Sequence, residues 1–207
     1  MASMIRRSFV HLDKDMFKLL FVSVVRPHLE YGATLWNPMK KSYVNMIENV
    51  QRRATKRIPG MSELAYDERL KLLDMPTLEY RRYRGDMIEL YKLFHDHYTI
   101  ASSRQLIESL ANDTTRQSQR NHRFTIYKDR CQKSVRRSFF KCRTTDQWNN
   151  LPSYVVDAPS LNAFKNRLDL IWKQDDIMFK ADIDLHATTS SRRIRYQEAK
   201  CKIVPED

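Results

Sequence analysis

The sequence predicts a mainly α-helical protein, on the evidence of its glycine content and the spacing of its apolar residues. Only three glycines occur in 207 residues, Gly32, Gly60 and Gly85. Tight β-turns and phosphate-cradling loops depend on glycine, so this composition favours helices joined by short polar or proline turns. We expect a helical bundle over residues 1–97, a smaller basic helical module over 98–180, and a loosely ordered tail over 181–207.

Capping residues and prolines predict the helices of the first part. Asp13 can cap a helix that contains apolar residues at helical spacing, and Pro27 should kink or interrupt it. Asn37-Pro38 should end the helical segment that precedes it, and the next helix should begin near Ser42. Pro59-Gly60 should end that helix.

Two longer amphipathic helices are predicted further along the chain, after a short helix within residues 62–73. One begins at Pro76 or Thr77, and Ser160 caps the other. Their expected buried residues are Leu78, Tyr83, Met87, Leu90, Tyr91 and Phe94 in the first, and Leu161, Phe164, Leu168 and Ile171 in the second. Between them, residues 98–123 predict a weak helix and a polar loop. Residues 124–143 fit either a short hairpin or an extended basic segment.

The net charge of +12 is unevenly distributed. Residues 1–60 carry eleven Lys and Arg against four Asp and Glu, and residues 116–143 carry ten against one, Asp129. A uniform excess would mainly promote solubility, whereas two concentrated basic blocks indicate a polyanionic partner. RNA or DNA is the first candidate for that partner, and anionic lipid is a distant second.

The first basic block contains Arg52, Arg53, Lys56 and Arg57 on one predicted helix. Residues three and four apart are neighbours on a helix, so Arg53, Lys56 and Arg57 can form one patch about a turn long. Such a patch can follow a duplex backbone without reading its sequence. The alternative is a solvated face that only keeps the helix soluble.

The second basic block interleaves Arg130, Arg136, Arg137 and Lys141 with Phe124, Tyr127, Phe139 and Phe140. Proteins that bind single strands place cations on phosphates and stack rings on bases. The alternative is that the phenylalanines lie in the core and only the cations are exposed. Buried rings are far more common than stacking rings, which favours this alternative for the phenylalanines. A third cluster, Arg81, Arg82 and Arg84, lies among acidic residues and predicts ion pairs within its own helix.

No metal site, cofactor or small-molecule substrate is predicted. His122, Cys131 and Cys142 lack the close pairwise spacing of a structural zinc site. The third cysteine is Cys201, and an odd number without framework spacing predicts reduced thiols in the cytoplasm or nucleus. No apolar run is long enough to cross a membrane, and no secretory signal is expected.

Three segments resemble the far C-terminal part of the reverse transcriptases of jockey-like, LINE-type (non-LTR) retrotransposons. They are SVVRPHLEYGATLWNP at 23–38, ENVQRRATKRIPG at 48–60 and WNNLPSYVVDAPSLNAFKNRLDLIW at 148–172. The resemblance covers residues 6–172 and implies a thumb-like bundle followed by a post-thumb module. It further implies that the polymerase palm would lie upstream of Met1, and that the partners are RNA, an RNA–DNA hybrid and the missing palm.

The catalytic motif of that family is not found, so we expect a nucleic-acid-binding fragment rather than an enzyme. Reverse transcriptases hold two metal ions on an aromatic-x-Asp-Asp hairpin. The single Asp-Asp here is Asp175-Asp176, with Lys173 where the aromatic residue would stand. Two alternatives stay open: a non-functional retroelement relic, and a protein-interaction module with Leu20, Val24, Leu35 and Trp36 on its partner-facing side.

Overall fold

The computed structural model describes residues 13–95, 97–98, 122, 124–174 and 178–181, and these residues are mainly helical. The prediction of a mainly α fold is confirmed. No described residue lies in a strand, which excludes the hairpin at 124–143. The predicted loop at 98–123, the Asp-Asp pair and the predicted tail fall almost wholly outside the described residues. None of the described helices combines the length and the apolar composition that crossing a bilayer requires.

The helices have the following bounds: α1 Lys14–Leu20, α2 Arg26–Glu30, α3 Ala33–Trp36, α4 Lys41–Thr55, α5 Tyr66–Leu73, α6 Leu78–Phe94, α7 Ser134–Arg137, α8 Phe140–Asn149, α9 Ser153–Val156 and α10 Leu161–Gln174. A π-helical segment, Phe21–Val25, joins α1 to α2. The chain divides into two compact units. The first comprises Met1–Tyr83 and Asp176–Ile183, and the second comprises Arg84–Asp175 and Asp184–Asp207.

Pro27 widens the first helix instead of breaking it. Asp13 caps α1 as predicted, because its carboxylate accepts the Met16 N–H at 2.7 Å. Proline cannot donate a backbone hydrogen bond, and in the turn just before it the ladder shifts to π spacing, with the Arg26 N–H bonded to the Phe21 carbonyl. The helix therefore runs on to Glu30 and ends there, with Tyr31 extended and Gly32 left-handed at a φ of 64° before α3 begins.

The core of the first unit is apolar and closes around α1, α4 and α5. It consists of Phe17, Phe21, Val25, Ala54, Ile58, Met61, Leu70, Leu73 and Met75. Ala54 comes from α4, Ile58 from the turn that follows it, and Leu70 and Leu73 from α5. Burial of such side chains contributes about 1.5–3 kcal/mol each.

A buried carboxylate fixes the start of α6. Glu48, on α4, is almost fully buried and accepts the Leu78 N–H at 2.9 Å and the Tyr66 hydroxyl at 2.5 Å. Burial raises the pKa of Glu48, while these hydrogen bonds act in the opposite direction. Thr77 caps the same helix end by accepting the Tyr80 N–H at 3.1 Å. One acid thus ties α4, α5 and α6 together.

Trp148 is the centre of the second unit. It is fully buried, stacks on Phe94 at 5.4 Å, and donates its indole N–H to the Phe124 carbonyl at 2.7 Å. Tyr91 donates to the Ala158 carbonyl at 2.6 Å. The predicted buried stripe of α6 is confirmed throughout. Ser160 caps α10 as predicted, and Leu161 alone of the α10 stripe is only half-buried.

Arg143 on α8 and Asp86 on α6 form a buried two-point ion pair in the second unit. Both contacts measure 2.9 Å, and the two side chains are 1% and 2% exposed. The Arg143 guanidinium also donates to the Ser138 carbonyl at 2.8 Å. A buried charge needs this degree of pairing, because desolvation of each ion costs several kcal/mol.

The prediction of ion pairs within α6 for its arginine cluster is wrong in the choice of partners. Arg81 pairs with Glu30 of α2, and Arg84 pairs with Asp169 of α10 through two contacts of 2.6 Å. Arg82 donates to the Leu29 carbonyl and lies 4.1 Å from the Trp36 ring centre. Of the acids beside these arginines in sequence, Glu79 pairs with Lys41 of α4 and Asp86 with Arg143 of α8, whereas Glu89 pairs with Lys92 within α6.

Arg143→Met should destabilise the second unit by about 3–5 kcal/mol, because it leaves Asp86 buried without its counter-ion. Urea unfolding measures this change. The double variant Arg143→Met with Asp86→Leu should recover most of the loss, since no uncompensated charge then remains. Equal instability of the single and double variants would contradict the assignment.

Lys128→Met is the matched control, because it breaks an ion pair to the same helix at the surface. Lys128 lies 2.7 Å from Asp146 of α8, with side chains 68% and 41% exposed. We expect a loss below about 1 kcal/mol.

His122 should make the second unit sensitive to acid. It is buried, its Nε2 lies 3.0 Å from the Trp148 carbonyl, and burial lowers its pKa from 6.5 despite nearby Asp157. The unfolded chain therefore binds a proton that the folded chain does not, and stability falls as pH drops below about 6.5. Relative to His122→Gln, the wild type should lose up to about 1.4 kcal/mol more per pH unit in urea unfolding. Parallel pH profiles of the two proteins would contradict this.

Candidate nucleic-acid interface

Three of the predicted cations form a surface at the end of α4. This first basic surface consists of Arg53, Lys56 and Arg57, all exposed. The helical turn continues past Thr55, because the Lys56 N–H bonds to the Arg52 carbonyl and the Arg57 N–H to the Ala54 carbonyl, both at 3.2 Å. The three residues thus keep helical spacing and stay neighbours. None of them forms an ion pair with a described residue.

Arg52, the fourth predicted residue of this block, has a partner inside the unit. Its guanidinium lies 4.9 Å from the ring centre of Tyr66, and the side chain is half-buried. Arg69 lies over the same ring at 5.5 Å. The structure therefore separates Arg52, which packs on Tyr66, from the three cations that face solvent.

The second basic surface is assembled around one acid. Asp129 lies 3.4 Å from the Lys141 amine and 3.8 Å from the Arg136 guanidinium. Arg137 donates to the Cys131 carbonyl at 3.1 Å. These contacts bring the segment 124–133, α7 and α8 together and group Arg136, Arg137 and Lys141, while Arg130 follows Asp129 directly in the chain. Except for half-buried Lys141, these cations are exposed.

Two aromatic rings are exposed on the second basic surface. Phe139 is 64% exposed and lies between α7 and α8, while Tyr127 is 51% exposed with the Lys141 amine 6.0 Å from its ring centre. The preference for buried phenylalanines is therefore wrong for Phe139. Phe124 fits that expectation better, because it is half-buried and its ring centre lies 5.3 Å from that of Phe94.

Sequence reasoning named Phe139 as one of several rings that could stack on bases, but it did not identify Asp129 as part of the site. A signal for Asp129 was present, since it is the single acid among the ten cations of residues 116–143. The sequence did not distinguish Phe139 from Phe124 and Phe140, because its exposure depends on the break between two short helices, where its backbone is extended at φ −61° and ψ 144°.

The histidines of the second unit pack against the core or contact its backbone. His95 stacks on Tyr91 at 3.9 Å between ring centres, and His122 contacts the Trp148 carbonyl. Within the described part of the chain, no three His, Cys, Asp or Glu side chains are grouped so that they could hold a metal ion.

Part of the apolar face expected for a protein-interaction module is exposed. Leu35 is 86% exposed, and Val24 and Trp36 are also classed as exposed, whereas Leu20 is half-buried. Trp36 is held in place, because its indole N–H donates to the Tyr31 carbonyl at 2.6 Å.

No known protein family, curated protein or solved structure matched the chain. The resemblance of the three sequence segments to LINE-type reverse transcriptases stays a prediction.

Proposed function

We propose that this chain binds nucleic acid through its two basic surfaces, as the distal part of a retrotransposon reverse transcriptase. The first basic surface grips the backbone of a template–primer duplex, and the second holds single-stranded RNA. The chain is a binding fragment and does not itself carry out RNA-directed DNA synthesis. Its partners are RNA, an RNA–DNA hybrid and the polymerase palm, and its place is the cytoplasm or nucleus.

The exposure of Phe139 among cations is the observation that supports the proposal most. An exposed ring is unfavourable in water, at about 25 cal/mol per Å² of apolar surface. Stacking on a base covers that surface and contributes about 1–3 kcal/mol. Arg136, Arg137 and Lys141 lie within three residues of the ring in sequence and supply the phosphate contacts.

The first basic surface suits a duplex for a different reason. Its three cations lie at the C-terminal end of α4, without an aromatic residue among them. Contacts of this kind reach phosphates and carry no base specificity. We therefore assign the duplex to this surface and the single strand to the second one.

A protein-interaction module is the second candidate, favoured by the exposure of Leu35, Val24 and Trp36. An apolar surface of this kind can cover a partner without any contribution from charge. Binding to this face would be insensitive to salt and to nuclease, which distinguishes it from the first candidate.

Removal of the first basic surface should weaken hybrid binding and its salt dependence. We expect Arg53→Gln, Lys56→Gln and Arg57→Gln together to lower the slope of log affinity against log salt by about 2–3, since each phosphate contact contributes about 0.9. Fluorescence anisotropy with a labelled RNA–DNA hybrid at two salt concentrations measures this.

The matched control removes three exposed lysines from the same unit, Lys14, Lys40 and Lys71, and should leave the slope almost unchanged. An equal effect of both triple variants would show that only net charge matters. Wild-type affinity that stays flat between low and physiological salt would contradict nucleic-acid binding through phosphates.

Phe139→Leu should weaken binding of single-stranded RNA by roughly 5- to 150-fold, because a lost stack costs about 1–3 kcal/mol. Phe139→Tyr keeps a ring and should retain most of the affinity. The same titration with the RNA–DNA hybrid should change little for either variant. If Leu and Tyr at this position bind RNA equally well, the ring does not stack.

A further inference from the structure

Two cysteine sulfurs lie next to each other beneath the second basic surface. Cys131 lies in the segment 124–133, and Cys142 lies in the first turn of α8. Their Sγ atoms are 2.8 Å apart. Both residues are half-buried, and neither takes part in a disulfide. They lie eleven positions apart in the chain, so the pairing is produced by tertiary structure and not by a short motif.

Contacts on both sides keep the two thiols together. Arg137 donates to the backbone carbonyl of Cys131 at 3.1 Å. Lys141, which precedes Cys142, is bonded to Asp129, two residues before Cys131. A disulfide bond is about 2.05 Å long, so closure needs the sulfurs to approach by only about 0.8 Å.

We propose that Cys131 and Cys142 are a redox-active dithiol. The two thiols are oxidised reversibly to an intramolecular disulfide, and the oxidant is a low-molecular-weight disulfide such as oxidised glutathione. This inference rests on the two sulfurs and their surroundings, and it is independent of nucleic-acid binding.

The exchange takes place in two balanced steps. The Cys131 thiolate attacks one glutathione sulfur, the glutathione disulfide breaks, and the first glutathione leaves as a thiolate that takes up a proton. Cys142 then loses its proton and attacks the Cys131 sulfur of the mixed disulfide, which releases the second glutathione. Two protein thiols are oxidised while one glutathione disulfide is reduced to two thiols.

The environment assigns the order of attack. Burial, the hydrogen bond with Cys131 and nearby negative charge raise the pKa of Cys142 to about 11. Since the thiolate is the nucleophile, this raised pKa suits Cys142 to the second attack, as the resolving thiol. Partial exposure lets glutathione reach Cys131 and also makes the resulting disulfide reducible.

The test uses the full chain with Cys201→Ser, so that the third cysteine does not react. The protein is equilibrated in mixtures of reduced and oxidised glutathione, quenched with acid, and examined by intact mass and peptide mapping. We expect the loss of two hydrogen atoms, a peptide that links Cys131 to Cys142, and no retained glutathione.

The same equilibrium in concentrated urea is the control for proximity. Two thiols on a flexible chain have an effective concentration in the millimolar range, and fixed neighbours exceed it. We expect the folded protein to form the disulfide with an equilibrium constant at least about tenfold larger than the unfolded chain.

Cys131→Ser and Cys142→Ser, each in the same background, complete the test. Each should retain a single glutathione, because the second attack is impossible. Accumulation of a doubly glutathionylated chain, a disulfide between two chains, or equal constants in folded and unfolded protein would overturn the proposal.

Discussion

Burial of charge along helix α6 is the constraint on which the remaining packing depends. A charged side chain removed from water costs several kcal/mol unless an opposite charge or a dipole compensates it. Asp86 meets this requirement in full through Arg143, since both side chains are almost completely buried, whereas the pairs of Arg84 with Asp169 and of Arg81 with Glu30 are about a quarter to a third exposed and are stabilised less. Within the second unit, Asp86 and Arg84 thereby hold α8 and α10 against α6, and within the first unit Arg81 holds α2 against the start of the same helix. In the first unit, Glu48 does the same at the start of this helix by accepting its first N–H groups.

The same constraint sorts the cations of a strongly basic chain. Arg143 lies in the second basic block of the sequence, yet it is buried against Asp86 and unavailable to a ligand. Arg52 likewise packs on Tyr66, although its sequence neighbour Arg53 faces solvent. A cation with a buried partner supports the fold, and a cation that faces solvent can meet phosphate. Charge density along the sequence does not make this distinction.

Local signals were enough to predict much of the fold. The caps at Asp13 and Ser160 depend on residues only three positions away, and the buried stripe of α6 depends on its own periodicity. The failures depend on contacts between residues distant in sequence or on the exact ends of short helices. The partner of Arg81 is 51 residues away, and the exposure of Phe139 depends on where two short helices meet. The three solvent-facing cations of the first basic surface follow from helical spacing, whereas the second basic surface needed Asp129 to assemble it.

Exposed rings carry more information about the candidate interface than its charge does. Lys and Arg at the surface cost the folded protein almost nothing and promote solubility, so their presence is compatible with many functions. Phe139 and Tyr127 leave apolar area in water, which folding alone would tend to bury. Asp129 adds a second observation, because it holds Arg136 and Lys141 together and reduces their mutual repulsion. Cations gathered around exposed rings are poorly suited to stability and well suited to a single strand, which offers bases to stack and phosphates to pair.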